Sequence, residues 1–222
     1  MKKKTGILIG ILVIPVFLFF IIKWAGIVQP DVNLPYFIPI DETENVDGEI
    51  DTVYHQVPDF SFIDSKNRVV TLDELDDQIY VANFIFTRCA VNCPLMTSQL
   101  LRVYSVFEDN PHVRFLSHTV DPENDSPETL KLYKEGYQIK GDQWLFLTGE
   151  KKEIYNQAIK GYYLAAGEEN SDVGFFHTDK IALVDKQRHI RGFYSGTDSE
   201  DIERLITEIG VLLKAHENET KK

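Results

Sequence analysis

The chain has 222 residues, 43% of them hydrophobic, with a formal net charge of -12 and two cysteines. That length holds one well-packed domain with extensions, and the acidic balance excludes nucleic acid as a partner, since phosphates need a basic footprint. The charge is uneven: four of the 23 basic residues and none of the 35 acidic ones lie in residues 1–26.

Lys2, Lys3 and Lys4 precede an uncharged run from Thr5 to Ile22, which Lys23 and Trp24 close. Through Val28 the run approaches the roughly 20 residues needed to cross a bilayer. Residues 1–28 therefore read as a cytoplasmic tip and a single-pass membrane anchor, with Trp24 at the interface. The run outlasts a usual signal-peptide core, Lys23 to Ile27 make a poor cleavage site, and no cysteine follows for lipid attachment. An uncleaved anchor puts the rest of the chain on the extracytoplasmic side, where thiols face oxidants.

Residues 29–55 read as a tether, stiffened by Pro30, Pro35 and Pro39 and acidic from Asp41 to Glu49. A domain over residues 56–216 follows, then a charged tail over 217–222. The apolar stretches around Phe60–Ile63 and Val69–Leu72 bracket the turn Asp64-Ser65-Lys66-Asn67 and predict a hairpin. A strand over 80–87 leads to a helix over 91–107, with Met96, Leu100, Val103 and Phe107 on one face. A strand over 113–120 passes through Asp121-Pro122 into a helix capped by Ser126, with Pro127 in its first turn. Trp144–Leu147 is a third apolar run, with a helix over 152–162 behind it. Strands 179–185 and 189–194 pair across Lys186-Gln187-Arg188, and an amphipathic helix runs from Ser199 to Lys214. This order implies an α/β fold with a central sheet covered by helices.

Both cysteines, Cys89 and Cys93, fall where the first strand turns into a helix. Four residues apart on a helix, they would share a face, and the helix start favours thiolate. Such a pair can grip a soft metal or cycle between dithiol and disulfide.

Taken together, the strand–CxxxC–helix unit, Val120-Asp121-Pro122-Glu123, Trp144-Leu145-Phe146-Leu147-Thr148-Gly149 and Phe176-His177-Thr178 resemble, in order and spacing, the SCO/SenC family. The match covers residues 56–213, and an N-terminal anchor is usual in the family. The resemblance implies a thioredoxin-like central mixed sheet flanked by helices, and a copper-binding role in cytochrome c oxidase assembly. It also implies that Cys89, Cys93 and His177 hold the copper ion. Ala90 departs from the family, standing where a proline is usual, while Pro94 is kept.

Parallel strands 80–87 and 113–120 would end on one edge of the sheet, where antiparallel strand 179–185 would begin. Cys89, Asp121 and His177 would then converge. Asp121 could serve as a weak oxygen ligand or hydrogen-bond a ligand; as a plain turn residue before Pro122 it would do neither. Arg88 could lower the Cys89 pKa or point into water, and Met96 belongs to the core. His55, His112, His189 and His216 are expected in solvent, His118 as a hydrogen-bonded polar core residue, and the run Glu168–Asp172 as a solvated loop.

The reading is a membrane-anchored copper chaperone that delivers copper to the copper-bearing subunit of a respiratory oxidase. An upstream copper donor or thiol reductant would serve it. The rival is a thiol–disulfide oxidoreductase in which Cys89 and Cys93 are the redox pair and reduce cysteines of the oxidase or of another exported protein. A peroxidase would need a peroxide pocket that no other residue specifies.

Overall fold

The computed structural model describes residues 33–44, 50–164 and 178–220. The anchor expected over residues 1–28 lies outside them, and no helix among the described residues is long and apolar enough to cross a membrane. Residues from Leu34 onward form one compact unit. Its elements are β1 (Pro39–Glu44), β2 (Ile50–Tyr54), β3 (Ser61–Asp64), β4 (Val69–Thr71), β5 (Ile79–Ile85), α1 (Asn92–Phe107), β6 (Val113–Thr119), α2 (Pro127–Gly136), β7 (Trp144–Thr148), α3 (Lys151–Asn156), β8 (Lys180–Val184), β9 (Ile190–Ser195) and α4 (Ser199–Thr220).

A seven-stranded mixed sheet has the order β4-β3-β7-β6-β5-β8-β9. Strands β5, β6 and β7 run parallel, while β3 and β8 are antiparallel to their neighbours. Every residue of β5 is buried, as a strand covered on both faces requires. Its alternation divides the core in two. Ile79, Val81 and Ile85 join Met96, Leu100 and Val103 of α1, Leu130 of α2, and Ile202, Leu205 and Ile209 of α4. Tyr80, Ala82 and Phe84 face Phe60, Phe62 and Leu72, with Ile154 of α3 and Tyr162 beyond it. Each such side chain, fully buried, contributes about 1.5–3 kcal/mol over its exposed state, so displacing β5 by one residue would exchange both faces.

The hairpin around residues 64–67 and the Ser126 cap form as the sequence predicts. Asn67 takes the left-handed conformation of its turn (φ 60°), and Ser126 Oγ accepts a hydrogen bond from the Thr129 N–H at 3.3 Å. Three elements differ from expectation. Within the stretch read as a tether, β1 and β2 pair antiparallel and Leu34 is buried. Hydrogen bonding of the backbone, not apolar side chains, makes this hairpin, because all six residues of β1 are exposed. The helix expected over 152–162 changes at Gln157 into a π turn, with the Tyr162 N–H donating to the Gln157 carbonyl at 2.8 Å. Gly161 permits it, since a Cβ there would lie 2.8 Å from the Gln157 side chain. The last helix runs to Thr220 rather than ending at Lys214.

Candidate functional site

The C-terminal ends of β5 and β6 lie side by side, with Ile85 opposite Thr119, and the chain turns outward from both. After β5, Phe86 to Ala90 form a turn, and α1 begins at Asn92. Only Cys93 is on α1. The shared helix face expected from the spacing is not present: Val91, with φ −129° and ψ −68°, breaks the helix before Asn92 and has no capping side chain. Cys89 supplies what Val91 lacks. Its Sγ accepts a hydrogen bond from the Cys93 N–H at 3.3 Å, in the position of an N-cap acceptor.

The two thiols are consequently unequal. Partial burial works against the Cys89 thiolate and is the largest single influence. Hydrogen bonds from the Cys93, Val91 and Asn92 backbone and from the Cys93 thiol outweigh it, and the pKa falls below the ordinary thiol value. Cys93 is buried. Burial pushes its pKa up to about 12, helped by the Cys89 sulfur and the charge of Asp125. The thiolate is thus the more accessible form at Cys89, while Cys93 keeps its proton.

Arg88 points neither at Cys89 nor freely into water. Its Nη2 donates to Asp121 Oδ2 at 2.7 Å, an ion pair with a half-exposed guanidinium and a buried carboxylate. Asn124 Nδ2 donates to the other Asp121 oxygen at 2.8 Å. Both oxygens of Asp121 are thus engaged, and as placed it ties the β6 turn to the turn that carries Cys89. Asp125 was not singled out from the sequence, yet it is fully buried here. It accepts from the Thr87 N–H at 3.1 Å and from the hydroxyls of Thr87 and Thr119. The available signal was a second aspartate four residues after Asp121, facing a strand end that carries threonines.

The entry to β8 reaches the same edge, because β8 runs antiparallel to β5 with Ile181 opposite Asn83. Asp179 accepts hydrogen bonds from the hydroxyls of Ser195 and Thr197, and its carbonyl takes the Gly196 N–H at 2.6 Å. Gly196 is needed for close approach: a Cβ there would lie 2.5 Å from Met96 Cγ and 3.0 Å from the Asp179 carbonyl oxygen. Met96 is core, as predicted. The β8 entry is therefore packed beside the first turns of α1, three residues past Cys93. His177 and the run Glu168–Asp172 lie outside the described residues.

The other histidines divide. His112 is exposed as expected. His55 is half-buried, its Nε2 2.8 Å from the Gly161 carbonyl oxygen, and His189 is half-buried, 3.7 Å from Asp185. His216, expected in solvent, is buried near the end of α4, because that helix continues past Lys214. His118 is buried, as expected, but neither ring nitrogen has a hydrogen-bond partner. It stacks on Phe84 at 5.0 Å and meets Phe62 and Tyr162 at 5.3 and 5.5 Å; aromatic packing has replaced the hydrogen bonds.

A mixed sheet in this order, with helices on both faces and a cysteine pair after the strand at its centre, defines a thioredoxin-like protein. The SCO1/SenC family profile matches residues 49–214, and the chain belongs to that family. The SCO1 protein homolog of Bacillus subtilis is 29% identical over 161 residues, which cover 72% of this chain and 83% of that protein. The structure of BsSco, a member of the Sco family of cytochrome c oxidase assembly proteins with a disulfide switch, is 30% identical. It superposes with a TM-score of 0.61 over 70% of this chain and 91% of its own. Copper-bound ScoI of Arabidopsis thaliana, 22% identical, shares the fold with a TM-score of 0.57 over 70% of this chain and 98% of its own.

Proposed function

We propose that this protein is a membrane-anchored copper chaperone that delivers copper to the copper-bearing subunit of a respiratory cytochrome c oxidase during assembly. The observation that carries the reading is the pair of unequal sulfurs at the sheet edge. Cys89 is stabilised as a thiolate by amides of the α1 start, and Cys93 is close enough to donate its thiol hydrogen to that sulfur. Soft thiolates select Cu(I). Cu(I) arriving at Cys89 would displace the Cys93 proton and gain a second thiolate. His177 would complete the set with a neutral imidazole. The placement of the β8 entry beside Met96 supports this, since the described chain resumes at Thr178. Asp121 and Arg88 would hold the turn rather than the ion. The copper-bound Arabidopsis ScoI and the oxidase-assembly role of BsSco support the choice of cargo and recipient.

Delivery would proceed by ligand exchange. Incoming recipient thiolates displace Cys89, Cys93 and His177 in turn, and the proton returns to Cys93. The apolar run Thr5–Ile22 would hold the N-terminus in the cytoplasm and the domain on the extracytoplasmic side, near the oxidase and an upstream copper donor or thiol reductant.

The test compares the full chain in detergent with Cys89→Ser, Cys93→Ser and His177→Ala, counting Cu(I) per chain and measuring exchange with a model disulfide. Either serine should abolish stoichiometric Cu(I) binding. The His177→Ala chain should bind copper at least tenfold more weakly, with disulfide exchange largely intact. Unchanged copper binding in His177→Ala, with normal oxidase assembly in cells, would hand the function to the thiol–disulfide oxidoreductase.

A further inference from the structure

At the far edge of the sheet, two histidines and an aspartate from three separate parts of the chain come together. Asp77 lies two residues before β5, His112 immediately before β6, and His216 in the last turns of α4. Their ligand atoms all lie within 4.8 Å of one another. We propose that Asp77, His112 and His216 form a second metal site, for a zinc-class divalent ion, distinct from the cysteine pair. The cysteines follow the C-terminal ends of these parallel strands and this cluster precedes their N-terminal ends, so a strand length of roughly 20 Å separates the two.

The geometry suits one ion. Two imidazoles sharing a tetrahedral ion with metal–nitrogen bonds of about 2.0–2.1 Å hold their ring centres roughly 5 Å apart. The rings of His112 and His216 are 4.9 Å apart and tilted by 45°. Asp77 Oδ2 lies 3.5 Å from His216 Nε2, close to the roughly 3.3 Å between neighbouring ligands of a tetrahedral site. Small rotations of the exposed His112 and Asp77 side chains would complete the approach. The backbone beneath them is already set. The Ile79 N–H donates to the His112 carbonyl at 2.8 Å, the His112 N–H is held by Asn110 Oδ1 at 3.0 Å, and Asp77 takes a left-handed conformation (φ 60°), which aspartate tolerates better than most residues.

Two imidazoles and one carboxylate are a borderline donor set that leaves a fourth position for water. Lys186 Nζ, 3.9 Å from Asp77 Oδ1, is the opposing charge, and it holds the site's affinity below that of a four-ligand structural zinc centre. A bound ion would join the β5 and β6 entries to the end of α4.

Zinc is the probe, and the full chain in detergent carries Cys89→Ser and Cys93→Ser so that the dithiol takes none. Equilibrium dialysis should find one Zn²⁺ per chain, and adding His112→Ala or Asp77→Asn, both at exposed positions, should weaken binding at least tenfold. Zinc should also raise the thermal midpoint of the parent chain and not that of its His112→Ala derivative. If His216→Ala fails to fold, the two exposed variants still decide. No bound zinc, or zinc held equally well by the His112→Ala and Asp77→Asn chains, overturns the site.

Discussion

His118 shows how a single buried group can set the response of this domain to acid. Its imidazole lies among Phe60, Phe62, Phe84 and Tyr162, and burial alone pushes its pKa down to about 3. An unfolded histidine titrates near 6.5, so between those values the unfolded chain binds the proton and the folded chain refuses it. Stability is full above about pH 6.5 and is lost as pH falls towards 3, by roughly 5 kcal/mol at most. His118→Phe should stay within about 1.5 kcal/mol of wild type at pH 7 and resist acid better, as denaturant midpoints at pH 4 and pH 7 would show. Equal acid losses in the two chains would mean that other groups are responsible. The sequence placed His118 correctly inside a strand, but it could not supply the rings around it, which come from β3 and the residue before it, from β5 and from the residue after the π turn. For the cysteines, the spacing was legible and the capping geometry was not: i and i+4 describe a full helical turn and a turn entering a helix equally well.

At the scale of elements, the junction from β5 to α1 depends on a carboxylate contributed by the turn after β6. Asp125 accepts the Thr87 amide and two threonine hydroxyls, and so binds the strand end before Cys89 to the neighbouring strand. Asp125→Asn keeps the shape, removes the charge and sets an amide donor against hydroxyl donors. It should cost about 1–3 kcal/mol in urea unfolding. Burial dominates the Cys93 pKa and the Asp125 charge adds to it, so the same variant should lower that pKa modestly. Thiolate absorbance against pH, in chains also carrying Cys89→Ser, reads that shift. A Cys93 titration that does not move, with urea midpoints unchanged, would remove Asp125 from the site. The continuous apolar run of β5 and the periodic faces of α1 and α4 were legible because burial dictates their residues. The β1–β2 hairpin was not, since its strands bury almost nothing and its order comes from backbone pairing.

At the scale of the whole molecule, a central sheet covered by helices was implied by the run of alternating elements, but its strand order and the N-terminal border of the domain were not. That border lies in contacts between segments far apart in sequence. Leu34 is buried in the same core cluster as α1 and α4, and Arg191, in β9, donates to the Pro35 carbonyl at 3.1 Å while its guanidinium lies 3.9 Å over the Tyr36 ring. The Phe37 N–H donates to the Ile190 carbonyl at 3.0 Å. Arg191 is 4% exposed and paired with Asp185 at 2.7 Å, and two more of its donors reach the Pro35 and Leu34 carbonyls. A chain beginning at residue 56 would leave them facing an opened surface and remove Leu34 from the core, at a cost of roughly 3–5 kcal/mol. A chain beginning at residue 33 keeps every one of these contacts. It should be soluble, bind Cu(I) through the same ligands and unfold in one cooperative transition, with a urea midpoint well above that of the shorter chain. Equal midpoints would return the border to residue 56, and an insoluble product from residue 33 would show that folding needs residues 1–32 as well.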